Sequence, residues 1–220
     1  MGLIKLERGI IMTSRTSSTV ENFNSLLNLA NTLPDGMRRL TLELLEENSE
    51  AFMSVPAMLK GYYSYEGSNC DLTLETVCSA LSEVRTRVEI SSVSLSASLV
   101  CAGAILHGIG KGKCYEMFNE SARVTKIGKF KSPAVVGCQM ISDKAKELKI
   151  DVTQDWFIKL EHLITAPIYI ENVSSNKFLL PEAFIIYQAN SNSRILRRLY
   201  NRYSAMLPKS VDSSEEIQED

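Results

Sequence analysis

The chain has 220 residues, 45% of them hydrophobic, which is long enough to bury one sizeable core. Its net charge of −2 neither indicates nor excludes nucleic acid as a partner. No apolar run approaches the ~20 residues that cross a bilayer, so we expect a protein without membrane contact. Five cysteines without CxxC spacing predict a reducing, cytoplasmic location, where they act as small buried hydrophobes.

Apolar residues at helical spacing predict helices along most of the chain. The first is capped by Thr19 or Asn22 and ends before the turn Pro34-Asp35-Gly36. Six further helices are predicted at 37–47, 72–88, 99–107, 133–148, 155–165 and 182–206. Between 111 and 132 the periodicity is weak, and a short hairpin with Gly128 at its turn is expected. Residues 167–176 are predicted to be irregular.

These elements predict an all-α fold, a bundle of about seven helices with one short hairpin. The bundle is expected to span residues 20–206 as a single domain. Residues 1–19 are predicted to be a flexible segment, and the acidic residues 207–220 a disordered tail. The sequence contains no internal repeat.

The stretch 99–111 carries the clearest functional signal. Small and aliphatic residues form a buried-helix pattern that ends at His107, and a Gly-Ile-Gly turn and Lys111 follow. A helix that ends in this way presents a ligand or a base to a cavity. A lone histidine at a helix end is also typical of a structural hydrogen-bonding residue, so both interpretations remain open.

This stretch resembles the signature of the HD-type metal-dependent phosphohydrolases, Ala-Gly-x-x-x-His-Asp-x-x-Lys. His107 and Lys111 occupy the positions of the family's histidine and lysine, whereas Gly108 occupies that of its aspartate. The likeness covers about residues 22–203, and Pro181-Glu182-Ala183 is similar to the family's entry to the last helix. It is similar to the HD module of the YhaM-type 3'-5' exoribonucleases, and related HD modules of conjugative relaxases share it.

The resemblance implies that the metal ligands have been replaced. The residues at the family's ligand positions are Leu72, Gly108, Pro133, Pro167, Ile168 and Asn190. Family members use a divalent metal such as Mn, Fe or Mg, and here we expect no metal, no cofactor and no catalytic residue. Without a metal there is no means of activating water for hydrolysis. His107, Lys111 and Asn190 are then the remnant of the pocket.

Two enzymatic alternatives remain. In the first, a divergent metal-dependent phosphohydrolase or nuclease has relocated its ligands, and Glu66, Asp71 or Glu161 converges on His107. In the second, His107 acts alone as a general base with Lys111 as the electrophile, which supplies only ~10²–10⁴-fold of rate.

Basic residues form two clusters that are candidate nucleic-acid or anion contacts. They are Lys111, Lys113, Arg123, Lys126, Lys129 and Lys131 in the first cluster, and Arg194, Arg197, Arg198 and Arg202 in the second. Aromatic residues interleave the first cluster, which predicts single-stranded nucleic acid held by phosphate contacts and base stacking. The alternatives are a solvated loop and, for the arginines, neutralisation by the acidic tail or contact with a partner protein.

The leading hypothesis is a non-catalytic binding or regulatory protein on an inactivated HD fold, with single-stranded nucleic acid or a protein as its partner. The likeness to relaxase modules suggests a link to a mobile element. Tyr62, Tyr63 and Tyr65 are interpreted as packing groups with a polar tip.

Overall fold

The computed structural model describes residues 13–166 and 180–206, which are predominantly helical. The elements are α1 (Thr13–Asn31), α2 (Asp35–Glu47), α3 (Ser49–Ser54), α4 (Ser68–Ser91), α5 (Ala97–Leu106), α6 (Lys111–Cys114), β1 (Tyr115–Phe118), β2 (Ser121–Val124), α7 (Pro133–Glu147), α8 (Asp155–Thr165) and α9 (Pro181–Met206). Within these residues, seven helices have ten residues or more, and α3 and α6 are short. The predicted all-α bundle is confirmed.

Helix α5 lies at the centre of the bundle. Every residue from Leu99 to Leu106 is buried, and the helix packs against α1, α2, α4, α8 and α9. The hydroxyl of Ser96 caps its first turn by accepting the N–H of Leu99 at 3.2 Å. The backbone N–H of Ser96 in turn donates to the buried carboxylate of Glu182 at 3.1 Å. These contacts fix α5 against α9 and deliver His107 to the interior.

Helices α4 and α9 pack against each other and form the wall opposite the end of α5. The buried face of α9 ends at Ser193. From there to Met206 the helix exposes a continuous set of large apolar side chains, namely Ile195, Leu196, Leu199, Tyr200, Tyr203 and Met206. The second half of α9 is therefore joined to the bundle mainly through its first half.

Several predicted boundaries differ from the structure. Helix α1 begins at Thr13, so the predicted caps Thr19 and Asn22 lie inside it and the predicted domain boundary at residue 19 falls within a helix. The first part of the predicted flexible segment (1–12), the whole of the predicted irregular segment (167–176) and the acidic tail (207–220) lie outside the described residues.

The hairpin is present, but Gly128 does not form its turn. Strands β1 and β2 pair antiparallel, and Asn119 and Glu120 connect them. Both turn residues have positive φ, 47° and 61°, which matches the twist of a two-residue hairpin connection. Gly128 lies in the following turn, where its N–H donates to the hydroxyl of Thr125. The sequence concealed the turn because glutamate replaces the usual glycine.

In the two described stretches, no helix combines the length and the apolar character that crossing a bilayer requires.

The turn after α5 fits closely against α7. A Cβ atom on Gly110 would lie 2.1 Å from the carbonyl oxygen of Pro133 and 2.6 Å from the amide nitrogen of Gly137. Both contacts are with backbone, which cannot rotate away. We expect Gly110→Ala to lower the free energy of unfolding, measured by urea denaturation, by about 2 kcal/mol or more.

Gly112→Ala is the matched control. There the new methyl group meets only Ala51, with the Cβ atom at 3.1 Å and the backbone carbonyl carbon at 3.8 Å, and alanine favours the helix α6. We expect its free energy of unfolding to stay within about 1 kcal/mol of the parent protein. Equal stability of the two variants would contradict the close fit at Gly110.

Candidate functional site

His107 and Asn190, both partly buried, are in contact although 83 positions separate them in the chain. His107 is the residue at which α5 ends, and its Nδ1 lies 2.6 Å from the carbonyl oxygen of Ala104. Its Nε2 lies 3.0 Å from the amide nitrogen of Asn190, which also donates to the hydroxyl of Thr76 at 3.3 Å. This network assigns the proton to Nδ1 and leaves Nε2 as an acceptor. Both ring nitrogens are thus engaged by protein groups.

The surroundings of His107 keep its ring neutral. Burial, followed by the positive charge of Lys111, lowers the pKa of His107 to about 3, and the hydrogen bond to Ala104 opposes the shift. Burial, followed by the charge of Arg194, lowers the pKa of Lys111 to about 8. A base with so low a pKa as that of His107 accepts a proton poorly near pH 7. The geometry therefore disfavours His107 acting alone as a general base.

The wall beside His107 is formed by neutral side chains of α4. Asn69, Thr73 and Thr76 follow one another at helical spacing on its buried face. The Asn69 amide donates to the carbonyl oxygen of Gly108 at 3.4 Å. The side-chain oxygen Oδ1 of Asn69 and the Thr73 hydroxyl are buried and have no hydrogen-bond partner among the described residues. Asn69 and Thr73 were not among the predicted site residues, and the predicted helix began at residue 72, so Asn69 lay outside it.

Gly108 is glycine because Asn69 leaves no room for a side chain. A Cβ atom there would lie 2.8 Å from the side-chain oxygen Oδ1 of Asn69 and 3.2 Å from the Thr73 hydroxyl. An aspartate at this position would have to push the Asn69 and Thr73 side chains aside. The side-chain groups around His107 that could contact a ligand are therefore amides and hydroxyls.

These residues do not fit a divalent metal ion. Such ions bind clusters of imidazole and carboxylate ligands, and the single imidazole here already accepts a hydrogen bond from Asn190. In the part of the chain that the structure describes, no group of three or more His, Cys, Asp and Glu side chains is placed to hold a metal.

The residues that the resemblance aligns with ligands lie in different surroundings. Leu72 packs with Ala57 and Tyr63 in a small separate cluster. Pro133 is the first residue of α7, directly after the cap Ser132. Pro167 and Ile168 lie outside the described residues. Of the positions that the resemblance aligns with ligands, the structure places Asn190 in contact with His107 and Gly108 directly after it in the chain.

The carboxylates proposed as relocated ligands have other partners. Asp71 accepts hydrogen bonds from Asn22 at 2.9 Å and from Tyr65 at 2.7 Å. Glu161 accepts a short hydrogen bond from Ser142, and Glu66 is exposed to solvent.

Several of the predicted basic contacts are engaged within the protein. Arg123 pairs with Glu116 at 2.9 Å and lies 3.9 Å above the ring of Phe118. Arg197 pairs with Glu75 at 3.5 Å.

A groove of about 710 Å³ between α2, α7 and the segment after the hairpin collects three of the predicted lysines. Its other walls carry acidic residues, so its charge is mixed. The charged residues that line it are Glu47, Lys113, Lys126, Lys131, Asp143, Lys144 and Glu147. Lys129 is exposed, as is Phe130 with 84% of its surface accessible.

A second groove, of about 600 Å³, contains Arg194 and Arg198 together with Lys60, which was not among the predicted contacts. No carboxylate of the described residues lines this groove.

No family model matches the chain, and neither a curated protein nor a solved structure proved similar to it.

The neutral state of His107 has a consequence for stability at acidic pH. Its pKa is about 3 in the folded protein and near the ordinary value of 6.5 in the unfolded chain. The unfolded chain therefore binds more protons between these values, and stability present above pH 6.5 is lost as the pH falls toward 3. We expect urea denaturation between pH 7 and pH 4 to show a smaller loss of stability for His107→Gln than for the parent protein. Parallel pH profiles would contradict a buried neutral histidine.

The contact of Asn69 with Gly108 predicts that substitutions at the two positions are coupled. Gly108→Ala places a methyl group against the Asn69 side chain, and Asn69→Ala removes the obstacle. We expect a double-mutant cycle on the free energy of unfolding to give a favourable coupling of about 1 kcal/mol or more. Additive effects would show that Asn69 does not restrict position 108.

Proposed function

We propose that this protein is a non-catalytic binding protein on a scaffold of the HD phosphohydrolase kind, and that it binds single-stranded nucleic acid. One observation carries the proposal. The groups that hydrogen-bond to His107 are neutral and Gly108 lies against Asn69, whereas Lys60, Arg194 and Arg198 line a groove that no carboxylate of the described residues lines.

The scaffold part of the proposal is supported by the chain order of the site. A buried helix ends in His107, a tight turn follows, and Lys111 begins the next short helix. Asn190, on the last long helix, reaches back to the histidine. This is the arrangement that the resemblance to the HD family implies, with an asparagine and a glycine in place of two metal ligands.

The nucleic-acid part rests on exposed cations close to exposed aromatic rings. Lys126 and Lys129 are exposed beside Phe130. Lysines neutralise phosphates and release counterions, and an exposed ring offers a surface on which a base stacks. Phe130, which lies between Lys129 and Lys131 with 84% of its surface exposed, places such a ring directly beside the cations.

The experiment is a titration of fluorescently labelled single-stranded RNA and DNA, followed by anisotropy at several salt concentrations. We expect binding that weakens steeply with salt, because each phosphate contact contributes a slope of about −0.7 on logarithmic axes. The triple variant Lys126→Glu, Lys129→Glu, Lys131→Glu is expected to reduce the affinity at least ~10-fold at low salt.

The control variant Arg85→Glu, Arg87→Glu, Lys146→Glu makes the same change of net charge on other surfaces and is expected to bind as the parent protein does. Absence of binding to either nucleic acid would overturn the nucleic-acid role and point to a protein partner. Stoichiometric Mn, Fe or Zn in the purified protein, with phosphodiester hydrolysis that depends on His107, would replace the whole proposal by the divergent hydrolase.

A further inference from the structure

The groove between the loop 58–63 and the middle of α9 combines cations and aromatic rings. Its volume of about 600 Å³ is in the range of small-ligand sites. The residues that line it are Met58, Lys60, Gly61, Tyr62, Tyr63, Tyr187, Ser191, Arg194, Ile195 and Arg198. Arg194 and Arg198 are one helical turn apart and therefore share one face of α9.

The cations of this groove lack the partners that other arginines of the protein have. Arg85, Arg87 and Arg123 each lie within 2.9 Å of a carboxylate oxygen. Within the described residues, no carboxylate oxygen comes within ion-pair distance of Lys60, Arg194 or Arg198. Like charges gathered without a counter-charge raise the local potential and attract an anion.

A further positive charge adds to this potential from inside the bundle. Lys111 is partly buried, and the charge of Arg194 helps to hold the pKa of Lys111 at about 8. Glu75, behind the groove residue Tyr63, accepts a hydrogen bond from the Tyr63 hydroxyl at 2.6 Å and pairs with Arg197. An anion in the groove would therefore meet cations and few competing carboxylates.

The structure separates the roles of the two adjacent tyrosines. Tyr63 is buried and fixed, with its hydroxyl on Glu75 and the guanidinium of Arg197 5.7 Å from its ring centre. Tyr62 lies at the groove edge with 37% of its surface exposed. The packing role predicted for these tyrosines suits Tyr63, whereas Tyr62 has a ring face available for a ligand.

The loop that carries Lys60 and Tyr62 is held in one conformation. The N–H of Met58 donates to the carbonyl oxygen of Tyr63 at 2.8 Å, and the buried hydroxyl of Ser68 contacts the same oxygen at 2.7 Å. The hydroxyl of Ser64 donates to the carbonyl oxygen of Gly61 at 2.7 Å. A loop fixed in this way loses little conformational entropy when a ligand binds.

We propose that this groove binds one nucleotide of a nucleic-acid strand, with its phosphate between Lys60, Arg194 and Arg198 and its base against Tyr62. The assignment rests on the proposed function and specifies where a strand is held. Guanidinium groups match phosphate oxygens in geometry, and an aromatic face accepts any base. An acidic peptide would use the cations but would leave the tyrosine face unused.

The test uses the full chain and the labelled single strands described above. We expect Arg194→Gln, Arg198→Gln to weaken binding ~10-fold and to reduce the salt slope by about 0.7 for each phosphate that is no longer neutralised. Tyr62→Ala is expected to weaken binding ~10-fold, whereas Tyr62→Phe, which keeps the ring, should bind as the parent protein does. Arg85→Gln, Arg87→Gln removes the same charge elsewhere and should leave the affinity unchanged.

The two sets of variants distinguish the groove assignment from the proposed function. If the lysine variants after the hairpin weaken binding while the groove variants bind as the parent does, the groove assignment is overturned and the nucleic-acid role stands. If the parent protein binds no strand, both the groove assignment and the proposed function fail.

A competition assay with the labelled strand tests the groove itself. Adenosine monophosphate that displaces the strand from the parent protein but not from Tyr62→Ala supports the groove assignment. Polyglutamate that displaces the strand equally well from the parent and from Tyr62→Ala overturns it. Unchanged circular dichroism and melting temperature show that each variant is folded.

Discussion

The lack of space around the turn after α5 is the constraint on which the rest of the site depends. On one side Gly108 touches the Asn69 side chain, and on the other Gly110 touches the backbone at the start of α7. A side chain at Gly110 would collide with backbone, and one at Gly108 would have to displace the Asn69 side chain, so the turn fits closely between α4 and α7. It follows His107, which contacts Asn190, and it leads into α6, which begins at Lys111.

The interior and the rim of the site differ sharply in charge. Around His107 every hydrogen-bonding group is neutral, because burial without a carboxylate excludes a charged imidazole. Four residues further along the chain, Lys111 holds its proton less tightly than an ordinary lysine does, since burial and the charge of Arg194 both lower its pKa. The protein thus keeps its positive charges at the groove, where solvent or an anion can stabilise them. A catalytic metal centre would need the opposite arrangement, with negative charge inside.

The sequence predicted the elements whose burial pattern is regular. Helices α5, α7 and α8 follow from apolar spacing and from the proline that opens α7. The meeting of His107 and Asn190 could be anticipated only from the resemblance, because no local pattern relates residues so far apart.

Other features depend on tertiary packing and left little trace in the sequence. The extent of α1 before Thr19 and the hairpin turn at Asn119-Glu120 contradict local propensity. Lys60 and Tyr62 are candidate ligand contacts because the fold places their loop in the same groove as Arg194. Their spacing in the chain resembles that of any exposed loop.

The two walls of the groove differ in how they are held. The loop wall is tied to the core by Ser68, whereas Arg198 lies beyond Ser193, in the half of α9 that has no buried residue. That half is held to the rest of the protein through Arg197, which pairs with Glu75 of α4 and lies 5.7 Å from the centre of the Tyr63 ring. A helix of that length is marginal in water by itself, so the position of Arg198 depends on this contact. Because the ion pair is partly exposed, dissolved salt weakens the support of this wall and leaves the loop wall unaffected.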